Sequence, residues 1–441
     1  MKLFTFKKGI HPAEEKQYTC DKTIETLPRP KEVFIPLSQH IGKPALPLVA
    51  KKDVVKKGQL IGQADGWISA NVHASISGTV KAVGMFLHPM GSRVPMVHII
   101  ANEEAEEELL LNHPQDWKTA SLDELKKIIL DAGIVGLGGA AFPTHVKMSP
   151  PEDKTLDTFV LNGCECEPYL TCDHRMMVDE ADRVLDGMAI IMKILQLKRG
   201  VIGIENNKPD AITTLKEKIA ARGESWEVMA LKSKYPQGAE KMLVSAALKR
   251  NVPEGGLPSD VGVVVNNVGT AMAIADAVIR GIPLTTRVVT VTGPGIVEPK
   301  NVLARIGDSF ANAVEFCGGI TDDTSQVFMG GPMMGMSQFD LNVPIVKATS
   351  GIVAVKEVAE KKNQIFPCIK CNACVGACPV NLLPNRLYRL TEKNMPQEAQ
   401  DRGLMSCIEC GSCVFVCPSS IPILQWIRIG KFKHTNSPKS A

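Results

Sequence analysis

The sequence predicts a multidomain α+β protein, and three observations carry that prediction. At 441 residues the chain exceeds what one ordinary core fills, so about two to four domains are expected. Short β-branched runs punctuated by turn residues near the N-terminus give way to alternating helical and strand patterns. After Lys356 the composition shifts to cysteine, proline and short helices, which marks a final domain of different chemistry.

The totals narrow the class. Apolar residues make up 44% and charged residues 22%, as in globular proteins generally. The formal net charge is +3, with no basic stripe interleaved with aromatics, so nucleic acid is not an expected partner. The start, Met1 to Lys8 and then His11-Pro12, breaks into charge before a signal-peptide apolar core forms, and no export is expected. The apolar stretches 189–197 and 261–279 are interrupted by Lys193 and by Asn266, Asn267 and Asp276, so neither reaches the uncharged span of about 20 residues that crosses a bilayer. Thirteen cysteines in a chain expected to stay in a reducing compartment read as metal or redox ligands rather than as a disulfide scaffold.

The first unit, residues 1–108, is expected to be a compact β domain. Its strands lie between about Phe34 and Val83, and Gly58 and Gly78 fall where tight turns need positive φ. The acidic run at 102–108 reads as a solvated linker. The second unit, 115–282, opens on a helix capped by Ser121. The strand "DTFVLN", the helix "VDEADRVLDGMAIIMKIL" and the strand "GVIGIEN" follow, an order that predicts a parallel α/β sheet. The third, 283–345, reads as strand, turn and strand in a small α+β unit, and the fourth spans 356–441.

The fourth unit carries the most specific signal. Cys368, Cys371, Cys374 and Cys378 follow C-x2-C-x2-C-x3-C with Pro379 next, and Cys407, Cys410, Cys413 and Cys417 repeat it with Pro418 next. Three thiolates within seven residues wrap one iron–sulfur cube, and the fourth reaches the neighbouring cube. The expected ligand sets are therefore Cys368, Cys371, Cys374 and Cys417 for one [4Fe-4S] cluster, and Cys407, Cys410, Cys413 and Cys378 for the other. Structural zinc usually takes separated cysteine pairs instead. The prolines halt local helix and help turn the chain away from each cluster.

In the second unit, "AGIVGLGGAAFPTHVK" places closely spaced glycines before Lys147, a pattern that suits a phosphate and also serves as a plain loop. "LNGCECEPY" puts Asn162, Glu165 and Glu167 just past a strand, at the edge where open α/β sheets bind ligands. "YPQGAEK" adds a second turn with an acid, and "VVVNNVGTAMA" a strand ending in Asn266 and Asn267. Taken singly, such asparagines also cap and turn. Cys164, Cys166 and Cys172 read as partly buried thiols, with another metal as the alternative.

Together the segments from about Asp131 to Thr270 resemble the flavin- and NADH-binding subunit of respiratory NADH dehydrogenases. The resemblance implies that Gly136, Gly138, Gly139 and Lys147 hold an FMN phosphate. It implies that Asn162, Asn266, Asn267 and Thr270 hydrogen-bond the flavin, and that Glu165 and Glu167 shape the side that takes NAD(H). Leu137, Cys164, Tyr169 and Gly269 depart from that family's pattern. Near the N-terminus, "KKDVVKKGQLIGQ" and "HASISGTVKAV" resemble half-motifs of biotinyl and lipoyl carrier domains. Trp67 stands about where a carrier lysine would sit, so this unit reads as a docking scaffold, with His73 packed rather than ligating.

Over nearly the whole chain the order of these segments, with "KKGIHPAEEK", "IPLSQHIGKPALPLV" and "GGPMMG", is similar to that in the C subunit of the Rnf ion-translocating electron-transport complex. That resemblance implies a barrel-sandwich domain, a Rossmann-like FMN and NADH domain, a β-grasp domain and a ferredoxin-like domain with two clusters. It further implies the other membrane and peripheral Rnf subunits as partners, ferredoxin indirectly, and a peripheral place on the cytoplasmic face of the cell membrane. It names no catalytic side chain, because the flavin carries the hydride chemistry. The competing readings are the flavin subunit of a soluble hydrogenase or formate dehydrogenase, and a non-enzymatic iron–sulfur adaptor.

Overall fold

The computed structural model describes residues 3–103, 106–151, 153–356 and 364–436, so part of the acidic run at 102–108 lies outside the described residues. Two small sheets form the N-terminal barrel-sandwich. Strands Glu32–Pro36, Arg93–Ala101, Gly78–Leu87 and Val54–Val55 pair antiparallel in one, and Leu46–Pro47, Leu60–Gln63 and Val72–His73 pair in the other. Alternate residues of each strand fill the space between them, with Val33, Ile35, Ile61, Val72, Val97 and Ile99 in the core. Gly58 has the expected positive φ of 82°. Gly78 does not supply a turn: it opens the strand Gly78–Leu87, paired with Val55 and Ala101, and a Cβ there would lie 2.1 Å from the Ile100 carbonyl oxygen.

The stretch that would carry the swinging lysine in a carrier is instead seated on the second unit. Asn71 Nδ2 donates to the Asp131 carbonyl at 3.4 Å, and His145 Nε2 lies 3.0 Å from the Trp67 carbonyl. The scaffold thus docks on its own chain. His73 is buried, and that burial holds its imidazole at about 3, so it packs as a neutral ring.

The second unit has a four-stranded, fully parallel sheet in the order Glu227–Leu231, Arg199–Glu205, Thr158–Gly163, Val263–Asn267. Both faces are covered by helices, so the strands read as continuous apolar runs. Leu125, Ile129, Val184, Met188 and Ile274 lie in the core of one face, and Leu243, Val263 and Val265 in that of the other. The expected single helix after the first strand is broken at Glu180 into Cys172–Asp179 and Ala181–Ile194. Ser121 caps the opening helix as expected, accepting from the Glu124 N–H at 3.2 Å.

A third unit is built on a six-stranded mixed sheet whose central strands are Lys300–Arg305, Thr286–Thr292, Gly351–Lys356 and Thr324–Met329. Thr286–Thr292 and Lys300–Arg305 form the strand, turn and strand expected from sequence. The N-terminal tail binds elsewhere than the barrel: Ile24–Thr26 forms the edge strand of this sheet, and Phe4 bridges to Leu231. The last unit is helical, with Ala373–Ala377, Pro384–Glu392, Pro396–Gln400, Ser412–Phe415 and Ile423–Asn436 around Leu387, Leu404, Ile423 and Ile427. Among the described residues no helix is long and apolar enough to cross a membrane. The terminal helix buries Ile423, Leu424 and Ile427, ties Arg428 and Lys431 to Glu409, and leaves Phe432 exposed.

Candidate functional site

The parallel register sets Asn267 opposite Asn162, side by side at the C-terminal ends of adjacent strands. Asn162 Nδ2 donates to the Gly238 carbonyl at 2.8 Å, and its Oδ1 accepts from the Cys164 N–H at 3.2 Å. Asn267 caps the helix Val268–Arg280 by accepting from the Gly269 N–H at 2.8 Å, and its Nδ2 donates to Asp173 at 2.6 Å. The glycine-rich loop closes over that helix start. Gly136 N–H donates to the Phe142 carbonyl at 2.8 Å, and Leu137 N–H to Thr270 Oγ1 at 2.9 Å, so these groups shape the loop.

The next N–H groups, from Gly138 to Ala141, have no protein acceptor among the described residues. A Cβ on Gly138 would stand 3.2 Å from Asn267, while Gly139 has a φ of 123° and open space where a Cβ would be. Successive free N–H groups on such a turn form an anion-binding concavity. Asn266 is buried with its Nδ2 unpartnered, and Gln237, fully buried on the neighbouring turn, has neither amide atom satisfied. Unmet buried donors and acceptors beside a glycine cradle fit a bound phosphate and a polar ring. Gln237 carries no signal in the sequence, since a glutamine in a turn is ordinary until its burial is known.

The charged residues of the expected site are engaged with the protein. Lys147 pairs with Glu240 at 2.8 Å and donates to the Val265 carbonyl at 3.0 Å, at the end of the strand that carries Asn266. Glu165 accepts from the N–H groups of Asp173 and His174 at 2.7 and 3.1 Å, at the start of a helix. Glu167 reaches into the third unit, accepting from Met333 and Met334 N–H at 3.1 and 2.9 Å. Burial pushes its carboxyl up to about 7 against the pull of those two N–H groups and of Lys16. Beneath these loops the buried Lys16 donates to the carbonyls of Glu165, Glu167 and Leu170. Burial also holds the Cys164, Cys166 and Cys172 thiols well above their usual range, as befits packed rather than reactive groups.

The cysteine ladders fold as two copies of one loop. Lys370 and Glu409, Asn372 and Gly411, and Asn381 and Ser420 occupy matching positions, and all six have positive φ between 51° and 74°. For non-glycine residues that conformation costs about 1 kcal/mol or more and persists only where the surroundings impose it. The short helices Ala373–Ala377 and Ser412–Phe415 stop before Cys378 and Cys417, so each fourth cysteine leaves on a new direction. One pocket is lined by Cys368, Cys371, Cys374 and Cys417, together with Tyr388 and Pro418. In the other group, burial raises the Cys410 and Cys413 thiols first, and Cys378 lies near enough to add to both, as Cys374 does to Cys413. Burial, and then neighbouring thiols, push Cys374 and Cys413 up as well. Iron, by taking the thiolate forms, fits this crowding.

Comparison with known proteins gives concordant matches. The family models described as the RnfC barrel sandwich hybrid domain, the Nuo51 FMN-binding domain, the SLBB domain and the 4Fe-4S dicluster domain match residues 4–104, 129–276, 288–337 and 361–418. The chain is 48% identical over 401 residues to the C subunit of the proton-translocating ferredoxin:NAD(+) oxidoreductase complex of Clostridium ljungdahlii, covering 90% of this chain and 87% of that one. It is 44% identical over 427 residues to the Na(+)-translocating counterpart of Acetobacterium woodii, covering 97% and 96%. It is 41% identical over 434 residues to the C subunit of the ion-translocating oxidoreductase complex of Rhodobacter capsulatus, covering 98% and 84%. Among solved structures, an NAD+-reducing [NiFe]-hydrogenase in the H2-reduced state shares the fold, with a TM-score of 0.51 at 18% identity over 69% of this chain and 61% of that one.

Proposed function

This chain belongs to the family of C subunits of ion-translocating ferredoxin:NAD(+) oxidoreductase complexes, and from that premise we propose how its residues serve electron transfer between NAD(H) and the rest of the complex. It is an FMN- and iron–sulfur-carrying oxidoreductase subunit, peripheral to the membrane part of its complex. The free N–H groups of Gly138 to Ala141 receive the FMN phosphate, with Gly136 closing the loop and Lys147 adding positive field from the strand end. Asn162, Asn266, Asn267 and Thr270 line the ring, and Gln237 supplies a further donor and acceptor. Glu165 and Glu167 shape the nicotinamide side through the backbone they hold. FMN held by these residues would supply the conversion between a two-electron hydride exchange with NAD(H) and single-electron exchange with the clusters.

The two cysteine sets, Cys368, Cys371, Cys374 and Cys417, and Cys407, Cys410, Cys413 and Cys378, hold the [4Fe-4S] cubes. A parallel sheet with helices on both faces supports the Rossmann-like reading of the second unit. The mixed sheet, which shares one apolar core with the helix Phe310–Phe316, supports the β-grasp reading of the third. Ferredoxin is the distant partner, and the chain works on the cytoplasmic face, where NAD(H) is found.

The observation that carries this reading is the convergence of a glycine cradle with free N–H groups and paired asparagines at one sheet edge. The test is anaerobic reconstitution of the full chain, followed by assay of acid-released FMN and of NADH-dependent dye reduction. Equimolar FMN and rapid dye reduction are expected. Clusters without flavin would leave the adaptor reading instead.

A further inference from the structure

Two cations lie wholly inside the protein behind the glycine-rich loop. Lys347 is 1% exposed and Arg287 is 4% exposed, and neither forms an ion pair among the described residues. Both come from the third unit, outside the stretch that forms the loop. Lys347 Nζ donates to the Gly133 carbonyl at 2.7 Å and to the Asn71 carbonyl at 2.7 Å. Arg287 Nη2 donates to the Leu137 carbonyl at 3.3 Å, and its Nη1 donates to the carbonyl of Lys347 itself.

These contacts have a directional consequence. Across a planar trans peptide the C=O of one residue and the N–H of the next point opposite ways. Drawing the Leu137 carbonyl inward therefore turns the Gly138 N–H outward, at the start of the run of free N–H groups. Lys347 fixes the foot of the same loop at Gly133, where φ is 65° and a Cβ would lie 2.2 Å from the Asn71 oxygen. Carbonyl dipoles alone compensate a buried cation poorly, so charge of the opposite sign nearby is strongly favoured. On Arg287 the Asp173 carboxylate acts only from beyond ion-pair distance, and Asp173 is itself bonded to Asn267. Burial holds both cations below their ordinary values, Lys347 at about 7.

We propose that Lys347 and Arg287 are positioning residues for the flavin phosphate: they pull the glycine loop's carbonyls inward, present its N–H groups to the dianion and supply the charge it neutralises. This rests on the flavin reading above and extends it, since the affinity for the phosphorylated flavin then depends on a domain outside the flavin-binding one. The discriminating probe is the phosphate itself. On the full-length reconstituted chain, dissociation constants for FMN and for riboflavin are measured by quenching of flavin fluorescence.

The native chain should prefer FMN. Lys347→Met and Arg287→Gln should each weaken FMN by roughly tenfold or more while riboflavin changes by less than about twofold, with iron content unaltered. Where either variant fails to fold, Arg287→Lys is read instead. It keeps the charge but cannot span the Lys347 and Leu137 carbonyls, and it should narrow the FMN preference. A native chain that binds neither flavin would sink the flavin reading. A native chain that prefers FMN, with the preference intact in the folded variants, would overturn this proposal alone.

Discussion

The crossed assignment of the cysteines can be tested by pairwise substitution, because ligands of one cube and ligands of different cubes differ in how their losses combine. The pocket lined by Cys368, Cys371, Cys374 and Cys417 predicts that Cys371 and Cys417 serve the same cube. Cys371→Ala with Cys417→Ala then damages one cube and spares the other, leaving about four of about eight irons and one intact cube. Cys371→Ala with Cys378→Ala damages both, leaving no intact cube. Iron analysis of anaerobically reconstituted protein, read with EPR of the dithionite-reduced state, separates the outcomes. The first pair should show the spectrum of a single isolated cube, and the second should lack any intact [4Fe-4S] signal. The reverse pattern, one intact cube in the second pair and none in the first, would refute the crossing and return each ladder to its own cluster.

Two further outcomes follow from packing and charge. Glu167 titrates at about 7 where it accepts from Met333 and Met334, against an ordinary value of 4.5, so its folded form binds more protons than its opened form between those limits. The closed contact is therefore strongest below the ordinary value and loosens as pH rises through about 7, by up to roughly 3 kcal/mol. Hydrogen exchange at Met333 and Met334, corrected for intrinsic rates, should show that loss of protection, Glu167→Gln should flatten it, and a flat native profile would contradict it. Gly187→Ala should destabilise the second unit by about 1–3 kcal/mol, seen as a lower melting temperature, because its Cβ would stand 1.8 Å from the Ala271 carbonyl oxygen where two helices cross. A melting temperature equal to that of the native chain would show that the helices separate freely there.

What could be read in advance divides by how local its cause is. The cysteine ladders are complete within short windows, and spacing alone separates their three-plus-one pattern from a zinc site. The strand ending in Asn162 is legible because an apolar run meets a polar cluster there, and the parallel sheet because strands alternate with helices. The break at Glu180 is not, since a helical pattern runs unbroken through it in sequence. Gly78 shows the limit of residue type: a glycine needed for close approach looks the same as one needed for a turn. Glu165 and Glu167 are visible as acids, but whether they face ligand or backbone depends on segments far along the chain. Lys347 and Arg287 give no signal at all, because a lysine or arginine is assumed to be solvated until its burial is seen.

The docking of the cysteine-bearing unit near the sheet edge proposed for the flavin bears on whether the proposed cofactor sites move relative to one another. From Asn162 the contacts run through the Gly238 carbonyl, and the Gly238 N–H meets Cys166 Sγ at 3.2 Å. Beside them Tyr235, fully buried, packs with Ile10, Ala377 and Cys410, against which Cys166 and Met333 also lie. Its hydroxyl donates to Glu167 at 3.5 Å, and Glu167 in turn holds Met333 and Met334. A Cβ on Gly411, inside the second cysteine loop, would stand 2.6 Å from the Met333 oxygen, so that loop is pressed against the third unit at backbone distance. A surface meant to swing apart would not be built from a buried tyrosine, a half-buried carboxylate with both oxygens engaged, and a glycine forced by contact. With FMN and the clusters bound as proposed, this packing would hold the two sites at a fixed separation, and of the cysteines only Cys371 is exposed, so it is the candidate cluster ligand that opens to the surface.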